Sequence, residues 1–164
     1  AGLWGAWDRD TSTLYIYSEY KAGEQLPQIH AQAFTARGAW IPGIIDPAAN
    51  GRAQKDGEAL KASYEGCGLK LTNAINAVEA GLHECWMDLS VGRIRVFSTL
   101  PGFFNEYRLY RRDEHGKIVK KNDHLMDCMR YLRMTGPGLA IVKPAVLSGN
   151  MPGLNVRNPG VGGY

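Results

Sequence analysis

The first twenty residues limit the possible folds most strongly, because they contain two strand-like segments separated by a tight turn. Residues 3–8 form an apolar run that ends in an acid, and residues 13–20 are rich in β-branched and aromatic side chains. The intervening Asp8-Arg9-Asp10-Thr11 supplies turn-forming residues. The pattern predicts an antiparallel hairpin, and therefore a sheet that is not purely parallel.

Beyond the hairpin, helical and strand-like patterns alternate. The periodicity predicts helices over 24–36, 53–66, 73–90, 103–112 and 122–134, and strands over 40–46, 69–71 and 93–97. Trp86 and Phe97 are expected in the core. We therefore predict one α/β domain over residues 1–143, with a mixed sheet, an N-terminal antiparallel hairpin and helices on both faces. Residues 144–164 are rich in glycine and proline and are predicted to form a flexible C-terminal tail.

Composition and charge exclude several classes of protein. No apolar run approaches the roughly 20 residues of a membrane span, and no signal peptide is recognisable, so no membrane association is expected. Three cysteines without a CxxC spacing favour a reducing compartment. The net charge of +3 is compatible with a polyanionic partner.

Four acids occupy positions that suit a metal site. Asp8 and Asp46 each end a predicted strand, and ligand crevices in α/β sheets lie at the carboxyl ends of strands. Asp123 and Asp127 lie on one face of the last predicted helix. Carboxylates are the ligands that Mg²⁺ and Mn²⁺ prefer, and two such ions can clamp a phosphodiester undergoing hydrolysis. The spacing therefore suggests a two-metal site.

The same acids also have ordinary structural explanations. Asp8 and Asp46 each begin a sequence that commonly forms turns. Asp123 is close to the N-terminus of a predicted helix, where a carboxylate is favoured, and Arg130 together with Lys120 or Lys121 could neutralise Asp127. Spacing alone leaves both interpretations open.

Basic residues are concentrated near the end of the predicted domain. Such residues could flank the acids and contact DNA phosphates, or they could form an ordinary solvated surface. The cluster consists of Arg108, Arg111, Arg112, Lys117, Lys120, Lys121, Arg130 and Arg133. The sequence shows no motif for ATP binding by a P-loop, for zinc binding or for a serine nucleophile on a nucleophile elbow.

Three stretches of the chain resemble the nuclease domain of the terminase large subunit of tailed, double-stranded DNA bacteriophages. The first is Ile45-Asp46-Pro47-Ala48-Ala49-Asn50-Gly51-Arg52. The second combines Gly68-Leu69 with Ala74, Asn76, Val78, Glu79 and Gly81. The third and most specific is Lys120-Lys121-Asn122-Asp123-His124-Leu125-Met126-Asp127-Cys128-Met129-Arg130-Tyr131. The resemblance covers roughly residues 1–135.

This resemblance implies an RNase H-like domain that cuts concatemeric viral DNA during genome packaging in the host cytoplasm. It implies an Asp triad at Asp8, Asp46 and Asp123 that holds two Mg²⁺ or Mn²⁺ ions, with Asp127 as a further member. We expect Asp123 to bind the metal directly and Asp127 to support the metal ligands without contacting the metal itself. The first strand departs from the family pattern, because Asp8 is followed by Arg9 and Asp10 and not by small residues.

The resemblance also implies partners, namely double-stranded DNA, an N-terminal ATPase motor in the same parent chain, the small terminase and the portal protein. Two alternatives remain at this point. One is another RNase H-like nuclease, such as a junction resolvase, and the other is a non-catalytic DNA-binding or docking module. Metal dependence separates the enzymes from the docking module.

Overall fold

Strands and helices alternate after an opening hairpin, as the sequence predicts. The structure is a computed structural model that describes residues 1–51 and 59–144. Within these residues the strands are β1 (Gly2–Asp8), β2 (Thr13–Tyr20), β3 (Gly43–Ile45), β4 (Leu71–Asn73) and β5 (Ile94–Val96). The α-helices are α1 (Pro27–Thr35), α2 (Leu60–Gly66), α3 (Val78–Ser90), α4 (Pro101–Leu109) and α5 (His124–Leu139). A short 3-10 helix, Pro47–Asn50, follows β3.

The hairpin is part of a mixed three-stranded sheet. β1 pairs antiparallel with β2, with an irregularity in register between Trp4 and Gly5. β5 pairs parallel with β2, which gives the strand order β1-β2-β5. The predicted mixed sheet with an antiparallel hairpin is therefore confirmed. A second, parallel pair is formed by β3 and β4.

Helix α5 packs against β1, β3, α3 and α4 and closes the core. Its stripe of Leu125, Met126 and Met129 is buried together with Ile16 of β2 and Phe103 of α4. These side chains recur at helical spacing, so one face of α5 covers the sheet while the opposite face stays available for polar residues. The core thus holds α5 in a fixed rotation relative to β1 and β3.

Carboxylates on neighbouring elements satisfy the free N–H groups at two helix N-termini. Both side-chain oxygens of Glu19 on β2 accept hydrogen bonds at the start of α4, from the N–H groups of Gly102 and Phe103. The buried Glu106 of α4 accepts the N–H of Leu125 at 2.6 Å, at the start of α5. A carboxylate near a helix N-terminus is stabilised by the helix dipole as well as by the hydrogen bond. These contacts fix where α4 and α5 begin.

Several predicted boundaries shift for identifiable reasons. Helix α3 begins at Val78 and not at residue 73, because the Ala74 N–H pairs with Ile45 O and the Ile75 N–H pairs with the Thr135 hydroxyl. Helix α5 continues through Pro137 to Leu139, five residues beyond the predicted end. Of the predicted helix 53–66, residues 53–58 lie outside the described part, and the described residues form a helix from Leu60 to Gly66.

The expectation that Trp86 and Phe97 belong to the core is wrong. Trp86 is 66% exposed on α3, and Phe97, just after β5, is 49% exposed. The buried face of α3 instead carries Gly81, Cys85 and Asp88, and Asp88 forms an ion pair with Arg133 of α5. The α3–α5 contact therefore combines a glycine, a thiol and a charged pair where sequence periodicity suggested large apolar side chains.

The domain boundary at residues 143–144 stays a prediction, since residues 145–164 lie outside the described part. No helix in the ranges 1–51 and 59–144 is long and apolar enough to cross a membrane.

Candidate active site

The carboxyl end of β3 and one face of α5 form part of the wall of a large cavity. The cavity has a volume of about 630 Å³. Asp46 directly follows β3, and His124, Asp127, Cys128 and Tyr131 come from α5. Their spacing of three and four residues places all four α5 side chains on the same face of the helix. Two of the predicted acids, Asp46 and Asp127, are therefore brought to one surface.

Asp46 is held by a hydrogen bond on each carboxylate oxygen. Its Oδ1 accepts the N–H of Ala48 at 2.8 Å, which caps the 3-10 helix. Its Oδ2 accepts the hydroxyl of Tyr131 at 2.7 Å. The turn role suggested by the Asp-Pro pair is real, but it uses only one oxygen. Each oxygen keeps further lone pairs, so the carboxylate is oriented and still able to bind a cation.

Asp127 is paired with two cations. Its Oδ1 accepts a hydrogen bond from Nη2 of Arg130 at 2.9 Å. The ammonium of Lys120 lies 3.5 Å from Oδ2 and also 3.2 Å from the carboxylate of Asp123. Burial alone would lower the pKa of Lys120, but these acidic neighbours raise it above its ordinary value. Lys120 is thus a charged partner of both acids.

A cluster of Asn76, Arg130 and Tyr131 links the two acids. Nη1 of Arg130 donates to Oδ1 of Asn76 at 3.0 Å, and the Tyr131 hydroxyl lies 3.4 Å from the same oxygen. The guanidinium carbon of Arg130 lies 4.6 Å from the centre of the Tyr131 ring. Burial, together with the hydrogen bond to Asp46, raises the pKa of Tyr131 above its ordinary value, so its hydroxyl remains a donor at neutral pH.

Charge and spacing in the sequence do not predict this cluster. Asn76 and Tyr131 do occur in the stretches that resemble the terminase nucleases, but the sequence alone assigns no role to either residue. The spacing of Asp127 and Tyr131, at i and i+4 on one helix, was the available signal that both face the same cavity.

Asp123 is positioned differently from Asp127. It is 6% exposed, is paired with Lys120 and is not among the residues that line the cavity. It precedes α5 but makes no side-chain capping bond, because Glu106 fills that role. Of these two acids, Asp127 and not Asp123 lines the cavity together with Asp46, whereas the sequence leads us to expect Asp123 as the direct ligand.

Asp8 ends β1 and organises the hairpin turn. Its carboxylate accepts the Thr11 hydroxyl at 2.6 Å and the Asp10 N–H at 3.0 Å. These two hydrogen bonds, that of Thr11 foremost, hold the pKa of Asp8 below its ordinary value. Its neighbours Trp7 and Arg9 line the cavity, whereas Asp8 is not among the lining residues. Asp8 is thus ionised at the rim of this region and engaged in the turn.

The basic residues fall into two groups. Arg108, Arg111, Arg112, Lys117, Lys120 and Lys121 are exposed, and Arg112 pairs with Glu79 at 2.7 Å. Arg130 is only 1% exposed. A side chain buried to that extent cannot reach DNA phosphates, so the assignment of Arg130 to DNA binding is corrected. Its guanidinium acts inside the protein, on Asp127 and Asn76.

The donor set suits a hard cation that keeps much of its water. No group of three or more His, Cys, Asp or Glu side chains within the described ranges is arranged to enclose a metal ion. Mg²⁺ is usually bound by one or two carboxylates, several waters and substrate phosphates, not by a full protein cage. Two oriented carboxylates on an open cavity wall fit that mode of binding.

Comparison with known proteins identifies the family. No protein-family model matches the chain. The chain is 35% identical over 139 residues to the terminase large subunits of Enterobacteria phage LP7 and Salmonella phage P22, which covers 79% of the chain and 28% and 27% of those proteins. The solved nuclease domain of the P22 large terminase is 34% identical with a TM-score of 0.66, and the match covers 80% of this chain and 71% of that domain.

The chain belongs to the nuclease domains of terminase large subunits. The large terminase of a thermophilic bacteriophage also matches, with a TM-score of 0.61 and 25% identity, over 73% of this chain and 32% of that protein. The SPP1 g2p nuclease domain, solved with bound Mn, shares the fold at 19% identity and a TM-score of 0.56, over 79% of this chain and 74% of that domain. The predicted RNase H-like α/β class is confirmed.

Membership in this family confirms the resemblance drawn from the three sequence stretches. It favours a terminase nuclease over a junction resolvase. The chain spans less than a third of the length of its curated relatives, so the activity of a whole terminase is not carried over by the match alone.

Proposed function

We propose that this domain is a metal-dependent endonuclease that cleaves concatemeric double-stranded viral DNA during genome packaging in the host cytoplasm. The observation that carries the proposal is the placement of Asp46 and Asp127 on one wall of a cavity, each oriented by hydrogen bonds to neighbouring side chains. The Mn bound by the SPP1 nuclease domain supports a divalent cofactor for this fold.

We propose Mg²⁺ or Mn²⁺ as the cofactor, with two ions. Asp46 and Asp127 would hold the metal, Asp8 would contribute from the end of β1, and Asp123 is the alternative to Asp127 on α5. The bound ions would activate the attacking water and stabilise the leaving oxygen of the phosphodiester. Arg130 and Tyr131 would orient these two carboxylates through the hydrogen bonds described above.

We propose that exposed cations on α4 and on the segment that follows it bind the DNA backbone. Arg108, Arg111, Arg112, Lys117, Lys120 and Lys121 are exposed on α4 and on the segment between α4 and α5. Contacts of lysine and arginine with phosphates provide affinity without reading base sequence. Cleavage should therefore be largely independent of sequence and should weaken as salt concentration rises.

The relatives support a larger parent protein. The large terminase of the thermophilic bacteriophage has been solved in complex with ADP, and the present chain matches 39% of it. We propose that the parent protein carries an ATPase motor and acts with the small terminase and the portal protein. These partners are proposed because of the family to which the chain belongs.

Cleavage of supercoiled plasmid tests the proposed activity. The wild-type domain should nick and linearise plasmid within hours in Mn²⁺ and should be inactive in EDTA. Asp46→Asn should lower the cleavage rate by more than about 100-fold. Loss of a residue that only hydrogen-bonds a metal ligand typically lowers activity by 10- to 100-fold, and loss of a ligand should cost more.

Asp113→Asn is the matched control for Asp46→Asn. Like Asp46, Asp113 accepts a backbone N–H two residues ahead, that of His115 at 2.9 Å, but it lies in an exposed turn. The control should cleave at the wild-type rate. Uncut plasmid at high enzyme and several Mn²⁺ concentrations would favour the docking module over the nuclease.

A further inference from the structure

One continuous set of contacts connects the two acids on the cavity wall. Tyr131 donates its hydroxyl to Asp46 at 2.7 Å, and Arg130 donates to Asp127 at 2.9 Å. The guanidinium of Arg130 stacks on the Tyr131 ring, and Asn76 accepts from Arg130 at 3.0 Å. The two carboxylates come from β3 and α5, which are remote in sequence, so these contacts join groups that the backbone alone does not link.

The burial of Arg130 is costly, which makes a purely structural role a poor explanation. The residue is 1% exposed, and its Nε has no hydrogen-bond partner within the described residues. Replacement of a buried ion pair by apolar side chains of similar volume is often neutral or stabilising. A hydrophobic residue would therefore pack the α3–α5 contact at least as well, but it would not orient Asp127.

A glycine on α3 leaves room for the Arg130 side chain. Gly81 of α3 faces the Arg130 side chain, and a Cβ at that position would lie 2.7 Å from Cγ and 2.9 Å from Cδ of Arg130. Lys120 also contacts Asp127, but its side chain is 63% exposed. Of the two cations, Arg130 is the one whose position is fixed by packing on several sides.

We propose that Tyr131, Asn76 and Arg130 are positioning residues that hold the Asp46 and Asp127 carboxylates in the orientation that binds the divalent metal. The inference rests on the proposed nuclease function and adds residues to that site. Residues that hydrogen-bond metal ligands orient them, and their loss typically lowers metal affinity or activity by 10- to 100-fold. The oriented carboxylates would be available before metal arrives, which lowers the cost of binding.

Tyr131→Phe tests the positioning role with the least disturbance. The substitution removes only the hydroxyl that reaches Asp46 and keeps the ring under Arg130. Mn²⁺ binding is measured without DNA, from the loss of the electron paramagnetic resonance signal of free Mn²⁺, and cleavage is measured across a Mn²⁺ titration. We expect the half-saturating Mn²⁺ concentration to rise about 10-fold in both assays, with the cleavage rate largely recovered at saturating Mn²⁺.

Two further variants separate positioning from folding. Asn76→Ala changes an exposed residue that contacts Arg130, and it should raise the half-saturating Mn²⁺ concentration by a smaller factor. Tyr107→Phe makes the same chemical change on an exposed tyrosine that stacks on Phe103, and it should leave Mn²⁺ binding unchanged. All three variants should melt within a few degrees of the wild type.

The possible results distinguish this inference from the proposed function. If Tyr131→Phe binds Mn²⁺ as the wild type does, or loses cleavage at unchanged Mn²⁺ affinity, the positioning role is overturned while the nuclease stands. If the wild-type domain neither binds Mn²⁺ nor cuts plasmid, the proposed function fails and the positioning role fails with it.

Discussion

Substitution of Gly81 by alanine gives a quantitative test of how the cluster of Asn76, Arg130 and Tyr131 is packed. Gly81 is buried in α3, and a Cβ there would lie 2.7 Å from Cγ of Arg130 and 3.3 Å from Cγ of Met134. The Cγ of Arg130 cannot move aside easily, because its guanidinium is held by Asn76 and Asp127. The new methyl group therefore overpacks the α3–α5 contact.

Two opposing effects determine the stability of Gly81→Ala. Alanine is favoured over glycine inside a helix by about 1 kcal/mol. Overpacking of a well-filled core costs about 1–3 kcal/mol. Gly138→Ala on α5 isolates the first effect, because Gly138 is exposed and has no atom within 4 Å of the added Cβ. The control should gain up to about 1 kcal/mol, while Gly81→Ala should be neutral or less stable than the wild type.

Thermal unfolding measures the difference between the two variants. Gly138 lies one residue before the end of α5, so alanine there gains less helix propensity than at Gly81, and the difference between the two variants is at most the cost of overpacking, about 1–3 kcal/mol, or up to roughly 12 °C in melting temperature for a chain of this size. Displacement of Arg130 should also raise the half-saturating Mn²⁺ concentration of Gly81→Ala and not that of Gly138→Ala. Equal melting temperatures for the two variants would refute the close packing of Arg130 against α3.

The α5 acids, the C-terminal segment and a buried thiol each provide a further test. Asp127→Asn should abolish the rise in melting temperature on addition of Mn²⁺, whereas Asp123→Asn should retain it, because only Asp127 lines the cavity with Asp46; the opposite result restores the order expected from the sequence. Removal of residues 145–164 should leave the melting temperature and plasmid cleavage unchanged, because a segment so rich in glycine and proline is expected to bury little apolar surface. The same truncation is expected to impair packaging. A fall of several degrees in melting temperature would show that the segment packs on the domain. Cys85 is 2% exposed and burial raises its thiol pKa to about 11, so it should resist alkylation at pH 8 in the folded protein and react after unfolding; rapid labelling of Cys85 in the native state would contradict this burial.

The elements that could be predicted from the sequence are those with a strong local signal. The β-branched and aromatic residues of 13–20 defined β2 to the residue, and the periodicity over 122–134 predicted α5, although not where it ends. Strand-ending acids located Asp46 correctly at the carboxyl end of β3. Each of these signals depends on neighbours within a few residues.

The features that could not be predicted depend on tertiary partners. Charge alone assigned Arg130 to the DNA surface, but its pairing with Asp127 and Asn76 keeps it inside the protein. The position of Asp123 in the sequence suggests that it caps α5, but in the structure Glu106 of α4 accepts the N–H of Leu125 at the start of that helix. Periodicity could not show that α3 buries Asp88 with Arg133 and leaves Trp86 exposed, because the ion-pair partner lies on α5.

Anomalous diffraction from crystals soaked in Mn²⁺ tests the central claim most directly, since it locates the metal independently of activity. The account predicts Mn²⁺ bound to the carboxylates of Asp46 and Asp127, with the Tyr131 hydroxyl still hydrogen-bonded to Asp46, and no such density in Asp46→Asn. Metal bound at Asp123 away from Asp46, or no bound Mn²⁺ at concentrations that support cleavage, would contradict it.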